Sequence, residues 1–173
     1  MRVPEWFLNY LVRKGMKDPY VHLPGYMNRY WIKRPNHYLG GVSNENTTGI
    51  GIRLHEILAS DTDRHLHDHP WWNISIILRG SYIEEIPANQ DQNPVYDARY
   101  YSLPAFTKFV RRKEGDIIFR RAKDRHRLHV CEGSVLSLFI FGPWEQVWGF
   151  HTERGKVNWR EYLEIPEEGV EIP

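Results

Sequence analysis

Between Ile50 and His151 the chain is cut into short segments whose apolar residues alternate, each closed by turn residues. They are IGIRLHEIL (Ile50–Leu58), WNISIILRG (Trp72–Gly80), SYIEEI (Ser81–Ile86), FTKFVRR (Phe106–Arg112), DIIFRR (Asp116–Arg121), DRHRLHVC (Asp124–Cys131), SVLSLFIFG (Ser134–Gly142) and QVWGFH (Gln146–His151). A period of two places alternate residues on opposite faces of a strand, and no helix can follow it. Turn signals recur roughly every eight to twelve residues, the spacing of a β-sandwich or barrel. Helical spacing is confined to the ends. Trp6, Phe7, Tyr10 and Leu11 share one face of a short helix over residues 4–14, with Gly15 as its C-cap, and NWREYL (Asn158–Leu163) forms a short terminal helix. A further short strand is expected at Tyr30–Lys33. Gly40–Gly49 reads as loop, and Pro87–Ala105 as a long polar loop suited to a lid or insertion.

The chain of 173 residues suits one domain. Its parts are an N-terminal helix and extended arm over 1–49, a barrel over 50–151 and a C-terminal cap over 152–173. The single cysteine, Cys131, excludes an intrachain disulfide. No apolar run is long enough to cross a bilayer, and the N-terminus lacks the apolar core and small-residue site of a signal peptide. A cytoplasmic protein with no membrane partner is expected. Net charge is +1, from 23 basic and 22 acidic residues. The eight Lys and Arg of Arg111–Arg127 are interrupted by acids, so nucleic acid is not expected as a partner.

The chemistry concentrates in DRHLHDHPWWN (Asp63–Asn73). His65, His67 and His69 stand two apart and can share a strand face, and two imidazoles at this spacing are natural metal ligands. A third ligand must come from elsewhere in the chain. Trp71 and Trp72 offer aromatic pocket walls, and Arg121 and Arg125 offer anion-binding groups near a pocket mouth. Tyr82 is a candidate proton donor and His151 a candidate acid–base group at a barrel rim. Each of these has a plainer reading, as core packing or solvated surface.

The pattern resembles the cupins. His67-Asp68-His69, three residues, Asn73, six residues and Gly80 match the spacing of the first cupin motif, with Asn73 where an acid is usual. Choosing His65 and His67 instead makes the distance to Gly80 too long. GDIIFRRAKDRH, from Gly115 to His126, has the length of the second motif, with Arg121 and Lys123 where proline and glycine are common. From LHEILASDTDRHLHDHPW to WGFHTERGKVNWREYL, the chain is similar to small single-domain cupins of bacteria and phages.

The resemblance implies an all-β double-stranded β-helix, or jelly-roll barrel, with short helical termini, and commonly a homodimer. It implies His126 as the third ligand beside His67 and His69, with Asn73 able to add a weak carbonyl donor. His65 is left as a neighbour or surface residue. Three neutral imidazoles suit Fe(II), Ni(II), Zn(II), Mn(II) or Cu(II), and the similarity to the thiol dioxygenases favours Fe(II). They leave the ion's charge uncompensated, which favours a small anionic substrate. The implied function is a metal-dependent enzyme, dioxygenase-like or an isomerase. The alternative is a metal-free or non-catalytic cupin that binds a sugar or small carboxylate. A 2-oxoglutarate oxygenase would need an acid two residues after a histidine, which this region lacks.

Overall fold

Alternation produces strands here because one face of most segments finds a core, as in Gly51–Ile57, Asn73–Arg79, Ser81–Pro87 and Val135–Phe141. The computed structural model describes residues 3–20, 22–37, 45–63, 65–91 and 107–164. Helix α1 (Glu5–Gly15) leads into β1 (Met27–Lys33), β2 (Gly51–Ile57), β3 (Leu66–His67), β4 (Asn73–Arg79) and β5 (Ser81–Pro87). Then come β6 (Thr107–Lys113), β7 (Ile117–Arg120), β8 (Arg127–His129), β9 (Val135–Phe141), β10 (Gly149–Thr152), β11 (Gly155–Asn158) and α2 (Trp159–Tyr162).

One layer is a five-stranded sheet in the order β1-β2-β9-β4-β7. The other comprises two three-stranded sheets, β11-β10-β3 and β6-β5-β8. A bridge in which His67 and His126 exchange both backbone hydrogen bonds, each 3.0 Å, joins these two. Met27, Ile57, Ile77, Ile118 and Val135 from the first layer pack with Tyr82 and Leu128 from the second. This is the expected all-β, two-layered jelly-roll architecture, with helices only at its ends.

Register decides what the interior contains. Across the five-stranded sheet, Gly51 stands opposite Phe141, and Phe141 opposite Asn73. One step along, Arg53 faces Phe139, which faces Ser75. Another step brings Arg29 opposite His55 and His55 opposite Ser137. The inner face is therefore a mixture of aromatic and polar rows rather than a uniform apolar surface.

Two glycines are required by space. Gly80 joins β4 to β5 at φ +82°, and a Cβ there would lie 2.6 Å from the Ser134 carbonyl oxygen. Gly51 leaves room for the fully buried Phe141 ring, whose Cζ would lie 2.2 Å from an added Cβ.

Several boundaries differ from the expected ones. The strand expected at Asp124–Cys131 shortens to Arg127–His129 because Asp124 closes a turn, its carboxylate accepting from the Arg121 N–H at 2.8 Å. Gly15 is the last residue of α1 rather than its cap. It is buried where a Cβ would come within 2.9 Å of Tyr30 Cβ. Strand β11, which no apolar alternation marks, is carried entirely by pairing with β10. Residues 92–105 of the long polar loop and residues 40–44 of the Gly40–Gly49 loop lie outside the described residues.

Gly51→Ala should destabilise the fold by about 1–3 kcal/mol through overpacking against Phe141. Thermal denaturation should register this as a fall of several degrees in Tm, and an unchanged Tm would contradict the packing described.

Candidate metal centre in the barrel cavity

Strand β3 is only two residues long and is clamped on both sides. His67 pairs with Phe150 of β10 and with His126. His69 follows two residues later, its N–H donating to the Ala122 carbonyl at 3.0 Å. Gln146 fixes both chain segments, its Nε2 donating to the carbonyls of His69 and Ala122 at 2.9 and 3.0 Å. Through these backbone ties, residues 67, 69 and 126 bring one ligand nitrogen each within 4.8 Å of one another. His69 Nε2 and His126 Nε2 are 2.8 Å apart. Alternation does not extend back to His65. Its ring leaves the cluster for Tyr162 Oη at 2.9 Å and Glu153 at 3.1 Å.

The orientation of His126 comes from a residue that the sequence did not single out, Glu84. This fully buried carboxylate accepts from His126 Nδ1 at 3.0 Å, from Arg120 Nε at 2.8 Å and from Arg112 Nε at 2.7 Å. Burial opposes its charge, but the His126 bond and the Arg120 guanidinium hold the carboxyl far below the usual carboxylate range. An ionised Glu84 can only accept, so His126 carries its proton on Nδ1 and turns the lone pair of Nε2 toward His69. Burial, then the charge of Arg120, push His126 down to about 4, against the opposing Glu84 bond. Burial and the two neighbouring imidazoles push His69 well below its ordinary value. Both are therefore neutral near pH 7.

The residues fit a transition metal. Two imidazole nitrogens held cis on one ion, each at about 2.1 Å, lie roughly 3 Å apart, close to the separation found here. A carboxylate that accepts the second ring N–H is the usual support of a ligand histidine. His67, His69 and His126 would hold the ion.

The cluster lies in the wall of a cavity of about 590 Å³. Trp71 stacks beside His69 at 5.6 Å and 14°, and Phe139, Trp148 and Phe150 line the same space. Tyr82 lines it too. Its phenol is raised by burial, accepts a hydrogen bond from Arg120, and remains protonated at neutral pH.

Five of the expected site residues are placed elsewhere. Asn73 is fully buried outside the cavity wall, its Oδ1 turned to Arg120 Nη1 at 3.4 Å. Trp72 adjoins Trp71 and so points the opposite way. It packs over Gly142, where an added Cβ would lie 2.1 Å from the indole nitrogen. Arg120 takes the inward position on β7, so Arg121 turns outward to Asp91 and Asp124. Arg125 is buried against Gln90, whose carbonyl accepts from its guanidinium at 3.3 Å. Phe150 occupies the inner face of β10, so His151 faces away and meets Asp68 at 3.1 Å. Arg53 and His55 line the cavity unforeseen, since both faces of IGIRLHEIL mix polar and apolar residues, and so does Arg29, since β1 begins at Met27 and not at Tyr30 as expected.

No protein-family model matches the chain, and no curated protein does. Solved structures do. Bacillus subtilis oxalate decarboxylase, in a structure concerned with its Mn(II) centres, matches with a TM-score of 0.51 at 14% identity, covering 91% of this chain and 33% of that one. The chain has the cupin fold. The formate complex of the Lactobacillus farciminis oxalate decarboxylase gives 0.50 at 12% identity over 88% of this chain and 37% of that enzyme. DMSP lyase DddQ from Ruegeria pomeroyi gives 0.46 at 15% identity, over 76% and 54% of the two chains. The chain thus spans about a third of the oxalate decarboxylases and about half of DddQ.

Two outcomes are expected. Glu84→Gln keeps the shape but removes the charge that orients His126. Metal affinity should fall by about tenfold to a hundredfold in a chelator-competition assay. The metal-free protein should lose stability as pH falls from 6.5 toward about 4. In that window the unfolded chain binds a proton at His126 that the folded chain refuses. Denaturant midpoints that do not change across this range would contradict the neutral burial of the cluster.

Proposed function

We propose that this protein is a metal-dependent cupin enzyme acting on a small anionic organic substrate, by oxidation or by isomerisation. His67, His69 and His126 are the ligands, with Fe(II) the foremost candidate among Fe, Mn, Ni, Zn and Cu. The observation that carries the reading is the convergence of three imidazoles from separate parts of the chain, one of them oriented by a buried carboxylate. An inert polar cluster would not need that support. That the neighbouring oxalate decarboxylase has Mn(II) centres accords with the reading.

A divalent ion held by three neutral ligands supplies an uncompensated positive charge, a Lewis acid and a template for anionic groups. The protein's own residues set the rest. The Trp71, Phe139, Trp148 and Phe150 walls exclude water and strengthen every charge interaction inside. Tyr82, kept protonated by burial and lining the cavity, would donate a hydrogen bond or a proton from Oη to a cavity-bound group. Glu84 holds the His126 proton on Nδ1 throughout.

Elemental analysis of protein purified without a tag or added metal tests this directly. The wild type should hold a stoichiometric transition metal. His67→Ala and His126→Ala should lose it while folded, and His65→Ala should keep it. If the metal is iron, oxygen consumption with thiols and carboxylates follows. Absence of metal from the wild type, or retention in both cluster variants, would sink the proposal.

A further inference from the structure

One wall of the cavity carries polar groups that the three-histidine cluster does not use. Arg29, Arg53 and His55 all line it. Arg29 stands opposite His55 across β1 and β2, and Arg53 and His55 alternate along β2, so all three share the inner face. Arg53 and His55 are only 4% and 8% exposed. The guanidiniums of Arg29 and Arg53 lie 4.5 and 4.2 Å from the centre of the same Tyr20 ring. His55 stacks on Phe139 at 4.7 Å, and its buried Nε2 has no hydrogen-bond partner. Burial, followed by the charges of Arg53 and Arg29, holds His55 well below its ordinary value, so its imidazole is neutral.

Guanidinium groups are donors only, and a neutral imidazole protonated on Nε2 adds one more donor. A buried ring nitrogen left without a partner costs about 1–3 kcal/mol, which an accepting ligand would offset. The carboxylates lining the same cavity, Glu45, Asp61 and Asp63, do not complete this wall for His55. Asp61 accepts from Tyr26 and from the Leu128 N–H at 2.7 Å. Phe139 bridges this wall to the metal ligands, its ring 4.7 Å from His55 and 6.2 Å from His69. Trp71 bridges it again, stacked on His69 and 5.8 Å from the Arg53 guanidinium.

We propose that Arg29, Arg53 and His55 form a subsite for the carboxylate of a small organic acid. The acid's apolar body lies on Phe139 and Trp71, and its other end faces the imidazole cluster. The assignment deepens the proposed function and rests on reading this cavity as the substrate site.

Calorimetric titration of the metal-free protein with benzoate and hexanoate, each beside its neutral amide, tests the subsite. At least one acid should bind, with its amide weaker by about tenfold or more. Arg53→Gln, Arg29→Gln and His55→Phe should each weaken that acid by about tenfold or more, with circular dichroism identifying the variants that remain folded. His65→Ala, which removes a ring lying outside the cavity against Tyr162 and Glu153, should bind it like the wild type. Because the titrated protein holds no metal, its binding of the acid separates a failed metal centre from a failed subsite. The proposal is overturned if neither acid binds, if acid and amide bind alike, or if the folded variants of this wall bind as the wild type does. It is equally overturned if binding disappears in His126→Ala while surviving in Arg53→Gln, which would put the carboxylate among the histidines.

Discussion

A single buried carboxylate organises this molecule. Glu84 on β5 accepts from Arg112 on β6, Arg120 on β7 and His126 ahead of β8. Arg120 in turn donates to Asn73 and Ser75 on β4, so one network ties the two layers together through their middle. Removing such a group is costly because its partners are buried too. An isolated guanidinium in this interior would have no water to solvate it. The same network fixes the tautomer of a candidate ligand, so packing and chemistry share one set of atoms.

The cavity exists because the inner face of the five-stranded sheet is not uniformly apolar. Phe139, backed by Phe141 and Trp31 in one packed cluster, gives it a rigid wall, while Arg29, Arg53, His55, Ser75 and Ser137 break the apolar surface. Arg53 is held among Tyr20, Trp31, Phe141 and Trp71, all within 5.8 Å of its guanidinium carbon. Aromatic faces attract cations, which makes this one of the few ways to keep an arginine ordered at an apolar wall. Histidines on one side and arginines on another give the pocket two chemically distinct ends.

His151 and the basic stretch Arg111–Arg127, both noted in the sequence, serve the fold. Asp68 accepts from the Gly149 N–H at 2.8 Å and meets His151 and Lys156, which secures the β3 and β10 junction beneath the histidines. The basic stretch Arg111–Arg127 divides by alternation. Arg112 and Arg120 turn toward Glu84, whereas Arg121 makes surface ion pairs of small energetic worth.

Much was legible in the sequence because it depends on local periodicity and chain spacing. Alternation marked most of the strands, and the intervals from His67 to Gly80 and from Gly115 to His126 carried the fold and named the three histidines that converge. What sequence could not give was direction relative to neighbours. Trp71 and Trp72, Arg120 and Arg121, and Phe150 and His151 are adjacent pairs in which one member faces the interior, and the sequence reading included Trp72, Arg121 and His151. Which member turns inward depends on register against partners far along the chain. Glu84, Arg53 and His55 were hidden for the same reason. A polar residue in a short strand reads as solvent-facing until pairing places it inside, where only neighbours distant in sequence compensate its burial. The sequence by itself determined the β architecture and the spacing of the imidazoles. The tertiary structure decided which charges entered the cavity, because burial is a property of paired strands and not of any one of them.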